Sequence, residues 1–341
     1  MKANHGRLVF GVTYHGSLAE SLTGLDNFYG KHISAGKLRA QLAWLRRHFQ
    51  ILTIGEIFDR LQRGNLPRRT AFIAFHDGYA GNYDVAFPML KELGIKAGFY
   101  IPTAFMGTSE RFWVDVLDAA LKHTRTPRLA KELSGNMEAL PLTNEPQRLS
   151  AAGTLRRRLK SLPQQVMETE FQRLIAALGW NNPADVPPLG AHDRCMTWDQ
   201  VEEMARAGME IGSHTHRHLI CALQDETTLR EELTQSKKLI EAHLQSECRY
   251  FCYPNGDYPK SGNEYTDRIV RECGYQAILY MISPYNYLHA QSFRLTGVAI
   301  GEDTTDEKFK RALSTLRFHW KRLRKSPIWP WDSEPETTTG L

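Results

Sequence analysis

Short apolar runs alternate with amphipathic stretches along most of the chain, and this alternation limits the possible folds more than any other feature. Residues 7–14, 70–75 and 96–102 are apolar and partly β-branched, which is typical of buried strands. Between the last two runs, residues 81–94 carry apolar side chains at helical spacing and end in Gly94. This order of strand, helix and strand predicts two parallel strands of one sheet.

The same alternation returns after residue 195. Residues 197–208 begin with a Thr cap, carry acidic side chains in the first turn and end with Gly208, as a helix does. The remaining predicted strands are 209–214, 250–253, 276–281 and 293–300, and the remaining predicted helices are 37–49, 224–245, 264–274 and 304–316. Repeated β–α units around one sheet predict an α/β barrel.

Residues 103–195 interrupt the alternation. They contain predicted helices at 113–123, 155–160 and 164–179, joined by proline-rich segments. We expect a helical insertion that covers one end of the barrel, within a single domain that spans residues 1–325. Residues 326–341 are rich in Pro, Thr and acidic side chains, and we expect this tail to fray.

Composition excludes several classes of protein. Of the 341 residues, 42% are hydrophobic and 24% are charged, which excludes a disordered, collagen-like or coiled-coil chain. A net charge of +5 is too mild to indicate nucleic-acid binding. The five cysteines are odd in number and include no CxxC pair, so a disulfide framework is not expected.

The sequence shows no targeting or membrane segment. The N-terminal apolar stretch is short and is followed by no small-residue cleavage site, so it does not resemble a signal peptide. Residues 273–293 lack Asp, Glu, Lys and Arg, but their polar side chains fit a strand and a loop better than a membrane span. We expect a soluble protein in the reducing cytoplasm, and the sequence leaves its oligomeric state open.

His76 and Asp77 end the apolar strand at 70–75, and Gly78 follows them. Active sites of α/β barrels lie at the carboxyl ends of the strands. A carboxylate at this position can bind a metal ion, and an imidazole beside it can accept a proton. The alternative is a turn Asp beside a surface His, because Asp-Gly is a common turn pair.

Three histidines lie within five residues, at positions 214, 216 and 218. On a helical turn, His214 and His218 would share one face, as ligands of a divalent metal must, and His216 would point elsewhere. Two imidazoles, one carboxylate and water would form an open zinc site. A solvated histidine-rich turn is the alternative.

A strand at 250–253 runs into Pro254, Asn255 and Gly256. Such a turn exposes backbone N–H groups that can bind an oxyanion. By itself, a plain strand-to-loop turn explains this segment equally well.

Together, these three motifs resemble those of the polysaccharide deacetylases of carbohydrate esterase family 4. AFHDGY is similar to the family's T-F-D-D-G-Y motif, GSHTHRH to H-[ST]-x-x-H, and YPNG to the aromatic-proline-glycine motif. The resemblance spans most of 7–300 and implies a deformed (β/α) barrel. It also implies that Asp77, His214 and His218 bind a divalent metal, with Zn²⁺ favoured, which activates water against an N-acetyl group.

The resemblance assigns further residues of the site. The backbone N–H of Asn255 would stabilise the oxyanion beside the metal, and Tyr253 and Pro254 of the same motif would contact the substrate. The segment VTYHGS is similar to the Tyr-His segment of permuted family members, which implies that His15 is the general acid. A core or turn histidine is the alternative for His15.

The sequence departs from the family pattern at two positions. The family's general base is the first Asp of the D-D pair, and His76 stands there. An imidazole has a suitable pKa for this role, so we expect His76 to act as the base. The family often carries an Arg that orients the base, and Cys252 stands there instead. The two departures are consistent with each other, because the Arg orients a carboxylate base and this chain has no carboxylate at that position.

Trp113 and Arg294 are further candidates for substrate contact, because aromatic faces pack against sugar rings and Arg294 lies near a strand end. A buried helix aromatic and a surface ion pair are the alternatives. Residues 317–331 mix basic and aromatic side chains and could touch an anionic membrane surface, although a solvated terminal helix explains them as well.

The sequence therefore predicts a metal-dependent enzyme that removes an N-acetyl group from an amino sugar in a polysaccharide, an oligosaccharide or an activated precursor. Two alternatives stay open. One is a deformylase or cyclic-amide hydrolase on the same scaffold, which His76 at the base position suggests. The other is a catalytically impaired protein that only binds glycans.

Overall fold

A computed structural model describes residues 7–134 and 138–314. The predicted tail and the basic-aromatic segment 317–331 lie outside these residues. The strands are β1 Arg7–Tyr14, β2 Ser17–Leu18, β3 Ile33–Ser34, β4 Gln50–Ile51, β5 Thr70–Phe75, β6 Gly98–Ile101, β7 Arg128–Leu129, β8 Leu140–Pro141, β9 Glu210–Ser213, β10 Tyr250–Cys252, β11 Ala277–Tyr280, β12 Tyr285–Leu288, β13 Arg294–Thr296 and β14 Val298–Ala299.

The α-helices are α1 Ala35–His48, α2 Ile54–Gln62, α3 Phe87–Leu93, α4 Trp113–His123, α5 Lys131–Ser134, α6 Glu145–Leu159, α7 Gln164–Ala177, α8 Trp198–Arg206, α9 Glu226–Leu244, α10 Glu264–Glu272 and α11 Asp306–Ala312. A π-helical turn, Asn82–Ala86, precedes α3. None of the helices that the structure describes combines the length and apolar character that crossing a bilayer requires.

One ten-stranded sheet organises the molecule. Its strands follow the order β12, β1, β5, β6, β9, β10, β11, β13, and two short strands join its sides, β4 beside β5 and β14 beside β1. Every pairing from β1 to β13 in this order is parallel, whereas β12 pairs with β1 antiparallel. The parallel sheet predicted from the sequence is confirmed.

The segment from β13 to β14 brings the two sides of the sheet together. Residues 294–296 pair with β11, and Val298 and Ala299 then pair with Val12 and Thr13 of β1. The sheet is therefore a nearly closed barrel surrounded by helices, which confirms the predicted α/β barrel. The single strand predicted at 293–300 is in fact two, because the chain leaves β11 and pairs with β1.

Alternating side chains divide the barrel into an inside and an outside. Phe72 and Ala74 of β5 belong to one apolar cluster with Tyr100, Cys252 and Leu279. Every second residue of a strand faces this interior. The intervening residues join a larger cluster with the surrounding helices. The end of the barrel at which the parallel strands begin is closed by α2, which the sequence analysis did not predict.

The predicted helical insertion has a core of its own. Buried side chains of α4, α6 and α7 form a cluster that is separate from the two barrel clusters and includes Leu121, Leu155 and Ile175. The sequence prediction of a helix at 155–160 began ten residues too late. Asn144 caps α6 by accepting a hydrogen bond from the backbone N–H of Gln147, so the helix begins at Glu145.

Candidate active site

Strand register brings four side chains to the carboxyl end of the barrel. Ala74 faces the interior, and His76 lies two residues further along the same strand direction. On β1 and β9 the same alternation directs His15 and His214 to this end. The ring centroid of His76 is 5.5 Å from that of His15 and 5.4 Å from that of His214. Cys252 completes the group at the end of β10.

Asp77, His214 and His218 converge on one point beside these rings. Oδ1 of Asp77 is 3.3 Å from Nε2 of His214 and 3.2 Å from Nε2 of His218. The three candidate ligand atoms all lie within 4.8 Å of one another. A carboxylate and two imidazoles at this spacing suit a divalent metal such as Zn²⁺.

The surroundings of His214 support this reading. Its Nδ1 hydrogen-bonds the backbone carbonyl oxygen of Cys252 at 2.7 Å, which places the ring proton on Nδ1 in the neutral imidazole. Nε2 is buried and makes no hydrogen bond to any residue that the structure describes. A buried ring nitrogen with a free lone pair, 3.3 Å from a carboxylate oxygen, is what a metal ligand requires.

The geometric reason given for the histidine pair from the sequence is wrong. His214 follows the end of β9, and the chain does not form a helical turn between it and His218. Instead, the backbone reverses through two left-handed residues, Thr215 at φ 64° and His218 at φ 59°. The two rings meet at a centroid distance of 4.9 Å. His216 points elsewhere, as predicted, with Nδ1 2.8 Å from Oγ1 of Thr103.

Left-handed backbone recurs at the other parts of the site. Asp77 has φ 68° and Asn255 has φ 62°. Each non-glycine residue in this region costs on the order of 1 kcal/mol and persists where the surrounding structure imposes it. The surrounding structure therefore holds candidate metal ligands and the candidate oxyanion donor in backbone conformations that are unfavourable for residues other than glycine.

Asp77 is ionised in this setting. Burial by itself would raise the pKa of its carboxyl, but the imidazoles of His214 and His218 outweigh that effect and hold the pKa well below its ordinary value. For His218, burial lowers the pKa more than the Asp77 carboxylate raises it. Both shifts favour a carboxylate and a neutral imidazole, which are the states in which these groups can bind a metal ion.

His76 lies deeper than the other candidate catalytic residues. It is fully buried, and Nδ1 is 3.2 Å from Sγ of Cys252, while Nε2 has no hydrogen bond within the described part of the chain. Burial lowers the pKa of His76 and raises the pKa of the Cys252 thiol, so both are neutral. The two residues that the resemblance assigns to the positions of the family's Arg and base, Cys252 and His76, are thus in contact.

A cavity of about 360 Å³ opens beside the metal-ligand group. Its volume lies within the range of small-molecule sites. His15, Asp77, His214, His218 and Asn255 line it, and His76 does not. Burial lowers the pKa of His15. The insertion supplies an apolar wall that includes Trp113, Val114, Leu159, Leu162 and Met167.

Three predicted substrate contacts are not in this cavity. The hydroxyl of Tyr253 donates to Oδ1 of Asp267 at 2.7 Å, and its side chain is fully buried on the outer side of the barrel. Nε of Arg294 donates to Oδ2 of the same Asp267 at 2.5 Å. Pro254 is buried and does not line the cavity either. Tyr253 and Arg294 therefore stabilise α10 against the barrel.

Sequence reasoning missed the basic residues of the cavity. Lys31, Arg156 and Lys160 line it together with the apolar wall. Lys31 forms an ion pair with Asp115, which also accepts a hydrogen bond from Tyr79. No pattern in the sequence marks these residues, because two belong to the insertion and the third to an irregular segment before α1.

Comparison with known proteins gives consistent results. A family model described as polysaccharide deacetylase matches residues 63–278, more than half of the chain. The chain is 29% identical over 89 residues to a poly-beta-1,6-N-acetyl-D-glucosamine N-deacetylase of Staphylococcus epidermidis, a match that covers 26% of this chain and 31% of that protein. The chain thus spans about a third of the length of this curated relative.

Two solved structures share the fold. The deacetylase PplD of Streptococcus pyogenes, determined in complex with acetate, aligns with a TM-score of 0.58 at 15% identity and covers 91% of this chain and 99% of its own. IcaB of Ammonifex degensii aligns with a TM-score of 0.54 at 17% identity and covers 91% of this chain and 97% of its own. At these identities the likeness concerns the fold alone.

Proposed function

This chain belongs to the polysaccharide deacetylase family, and from that premise we propose that it removes the acetyl group from the nitrogen of an amino sugar. The observation that carries the proposal is the convergence of Asp77, His214 and His218 beside a cavity of about 360 Å³. The Staphylococcus epidermidis relative is a poly-beta-1,6-N-acetyl-D-glucosamine N-deacetylase, which supports N-acetylglucosamine as the sugar.

Asp77, His214 and His218 would hold the metal ion. A divalent metal, with Zn²⁺ favoured by the two imidazoles and one carboxylate, supplies Lewis acidity toward a carbonyl and toward water when bound. The chain's own contribution is to present these three ligands with Asp77 ionised and with the lone pair of His214 Nε2 directed at the site.

The cavity orients the substrate. Trp113 and the apolar side chains of the insertion form a wall against which a sugar ring packs. The backbone N–H of Asn255 is the candidate donor to the acetamide oxygen as negative charge develops there. The left-handed conformation of Asn255, at φ 62°, holds this residue at the edge of the cavity.

Two imidazoles would divide the proton transfers. His15 lines the cavity and, in its protonated form, would donate a proton to the leaving amine, as the resemblance implies. Nε2 of His76 is the atom left to accept a proton from water, because Nδ1 faces the Cys252 thiol. Cys252 would thereby take over the positioning of the base.

Acetate release tests the proposal. Zinc-loaded protein is incubated with N-acetylglucosamine, its oligomers and N-formyl counterparts, and free acetate and formate are measured beside Asp77→Ala. Release of acetate by the wild type alone supports the proposal. Release of formate only would favour the deformylase. Glycan binding without turnover in either variant would favour the impaired, glycan-binding protein and would contradict catalysis.

A further inference from the structure

The helical insertion places an ammonium group directly at the edge of the proposed catalytic site. Lys160 follows the last residue of α6, and its side chain lines the cavity. Its Nζ donates a hydrogen bond to Oδ1 of Asn255 at 2.5 Å. The insertion and the barrel therefore meet in this contact. Asn255 is the third residue of the YPNG segment, residues 253–256.

Lys160 differs from the other two cations of the cavity in its charge partner. Lys31 is paired with Asp115, and Arg156 is paired with Asp118, both of which are buried carboxylates. No carboxylate lies within ion-pair distance of Lys160 Nζ among residues 7–134 and 138–314. Its only hydrogen bond in that part of the chain is to a neutral amide oxygen.

The Lys160 ammonium is half-buried and has no paired anion, so it has lost part of its hydration and gained little in return. Burial lowers the pKa of Lys160 to about 8, so the group still carries charge at neutral pH. The nearby apolar residues Leu159, Leu162 and Met167 strengthen any electrostatic interaction that the ammonium makes with a ligand, because they exclude water. An anion that enters the cavity would compensate the charge.

We propose that the cavity accepts an anionic N-acetyl amino sugar, whose phosphate or carboxylate group is bound by Nζ of Lys160. The inference rests on the proposed function for the identity of the sugar and extends it to a charged substrate. Lys160 is then a specificity residue, and the insertion selects the substrate while the barrel performs the reaction.

The alternative role for Lys160 is purely structural, since its hydrogen bond also fixes the side chain of Asn255. The two roles make different predictions. Loss of an anion contact weakens only charged ligands, whereas displacement of Asn255 impairs charged and neutral ligands alike.

Binding affinity measured by calorimetry separates these roles. The zinc-loaded full chain is titrated with N-acetylglucosamine 1-phosphate, with N-acetylmuramic acid and with the uncharged methyl glycoside of N-acetylglucosamine. The variants are Lys160→Met, Lys160→Arg and, as a matched control, Arg173→Met. Arg173 also belongs to the insertion but is exposed on α7 and paired with Glu170 at 3.1 Å. Circular dichroism shows whether each variant is folded.

We expect wild type to bind at least one anionic sugar about tenfold or more tightly than the neutral sugar, since a charge-assisted hydrogen bond is stronger than a neutral one. Lys160→Met should lose this preference and keep its affinity for the neutral sugar, while Lys160→Arg and Arg173→Met retain the preference. The phosphate and carboxylate arms show which anion is selected.

Four results would overturn the inference: no preference for an anion in wild type, a preference that survives in Lys160→Met, an equal loss for charged and neutral sugars, or no binding of any of the three. The second result would mean that the metal or another cation holds the anion. Acetate release is recorded in parallel. Lysine-dependent anion binding without acetate release would contradict the proposed deacetylation and leave the binding inference standing.

Discussion

The two ends of the barrel are built in opposite ways. At the carboxyl end, Asp77, His218 and Asn255 have left-handed backbone conformations and surround a cavity with ionisable groups. At the opposite end, α2 closes the barrel with buried Ile54 and Ile57. A complete capping box, formed by Thr53 and Glu56, starts that helix.

We expect this difference to separate function from stability within one sheet. The carboxyl end keeps polar atoms and strained backbone beside the cavity, whereas the closed end satisfies its backbone and buries apolar surface. Barrel enzymes place catalysis at the carboxyl end and stability at the other. Substitutions at the two ends should therefore affect different measurements, and the following predictions test that separation in order of decreasing effect.

At the carboxyl end, His218→Ala should abolish activity and leave the fold intact. The variant removes one of three candidate ligands, so acetate release should fall by about a thousandfold or more. Its bound zinc, measured by elemental analysis after dialysis, should fall as well. His216→Ala is the matched control, because His216 contacts Thr103 and lies outside the cavity. Equal activity in the two variants would remove His218 from the metal site.

At the closed end, Ile57→Ala should do the reverse. Ile57 is fully buried, so truncation should lower the free energy of unfolding by about 3 kcal/mol. The rate of acetate release per folded molecule should stay within about twofold of wild type, since the site lies at the other end of the barrel. Denaturant titration and an activity assay on the same samples check both numbers. A loss of activity matching that of His218→Ala would break the separation of the two ends.

Within the carboxyl end, substitutions test the proposed proton-transfer roles of His15 and His76. His15→Ala should lower kcat by about a hundredfold, as expected for loss of a general acid. His76→Ala should cost as much if His76 is the base, and His76→Asp should then retain activity. Unchanged turnover in His76→Ala would contradict the base role. A gain in turnover in His76→Asp would instead identify a base that is impaired in the natural chain.

The smallest expected effect concerns pH and lies at the closed end. Glu210 accepts a hydrogen bond from the backbone N–H of Gly55, and burial raises its pKa to about 7. Because the folded pKa is raised, the stability from this group is present below pH 4.5 and is lost as pH rises through 7. The melting temperature of wild type should therefore fall by about 3 °C more than that of Glu210→Gln between pH 5 and 8. An equal fall of the melting temperature in both proteins between pH 5 and 8 would contradict this role of Glu210.

Much of the fold could be predicted from the alternation of short apolar runs with amphipathic stretches along the sequence. Strands at 7–14 and 70–75 and the helix at 197–208 were predicted within a residue or two, because buried parallel strands are continuous apolar runs and caps mark helices. The helix α2 was missed, although the capping box formed by Thr53 and Glu56 marks its beginning in the sequence. The insertion boundaries within a single domain stay a prediction.

The site was predicted only in part, and the alternation of side chains along a strand explains two of the errors. Cys252 faces the interior of the barrel, so Tyr253 must face outward, where it contacts Asp267. The same rule places Arg294 outside, because Leu295 faces inward. Lys160 could not have been predicted, since it reaches the cavity only through the packing of α6 against α4 and residues 24–30.

The position of a bound metal ion tests the central claim most directly. Two residue groups in the described chain could hold one, Asp77 with His214 and His218, or His76 with His214 and Cys252. We predict that zinc anomalous scattering from crystals of the loaded protein will give one peak about 2.1 Å from Nε2 of His214 and Nε2 of His218, with an Asp77 oxygen completing the set. A peak beside Cys252 Sγ and His76, or no peak at this end of the barrel, would contradict the account.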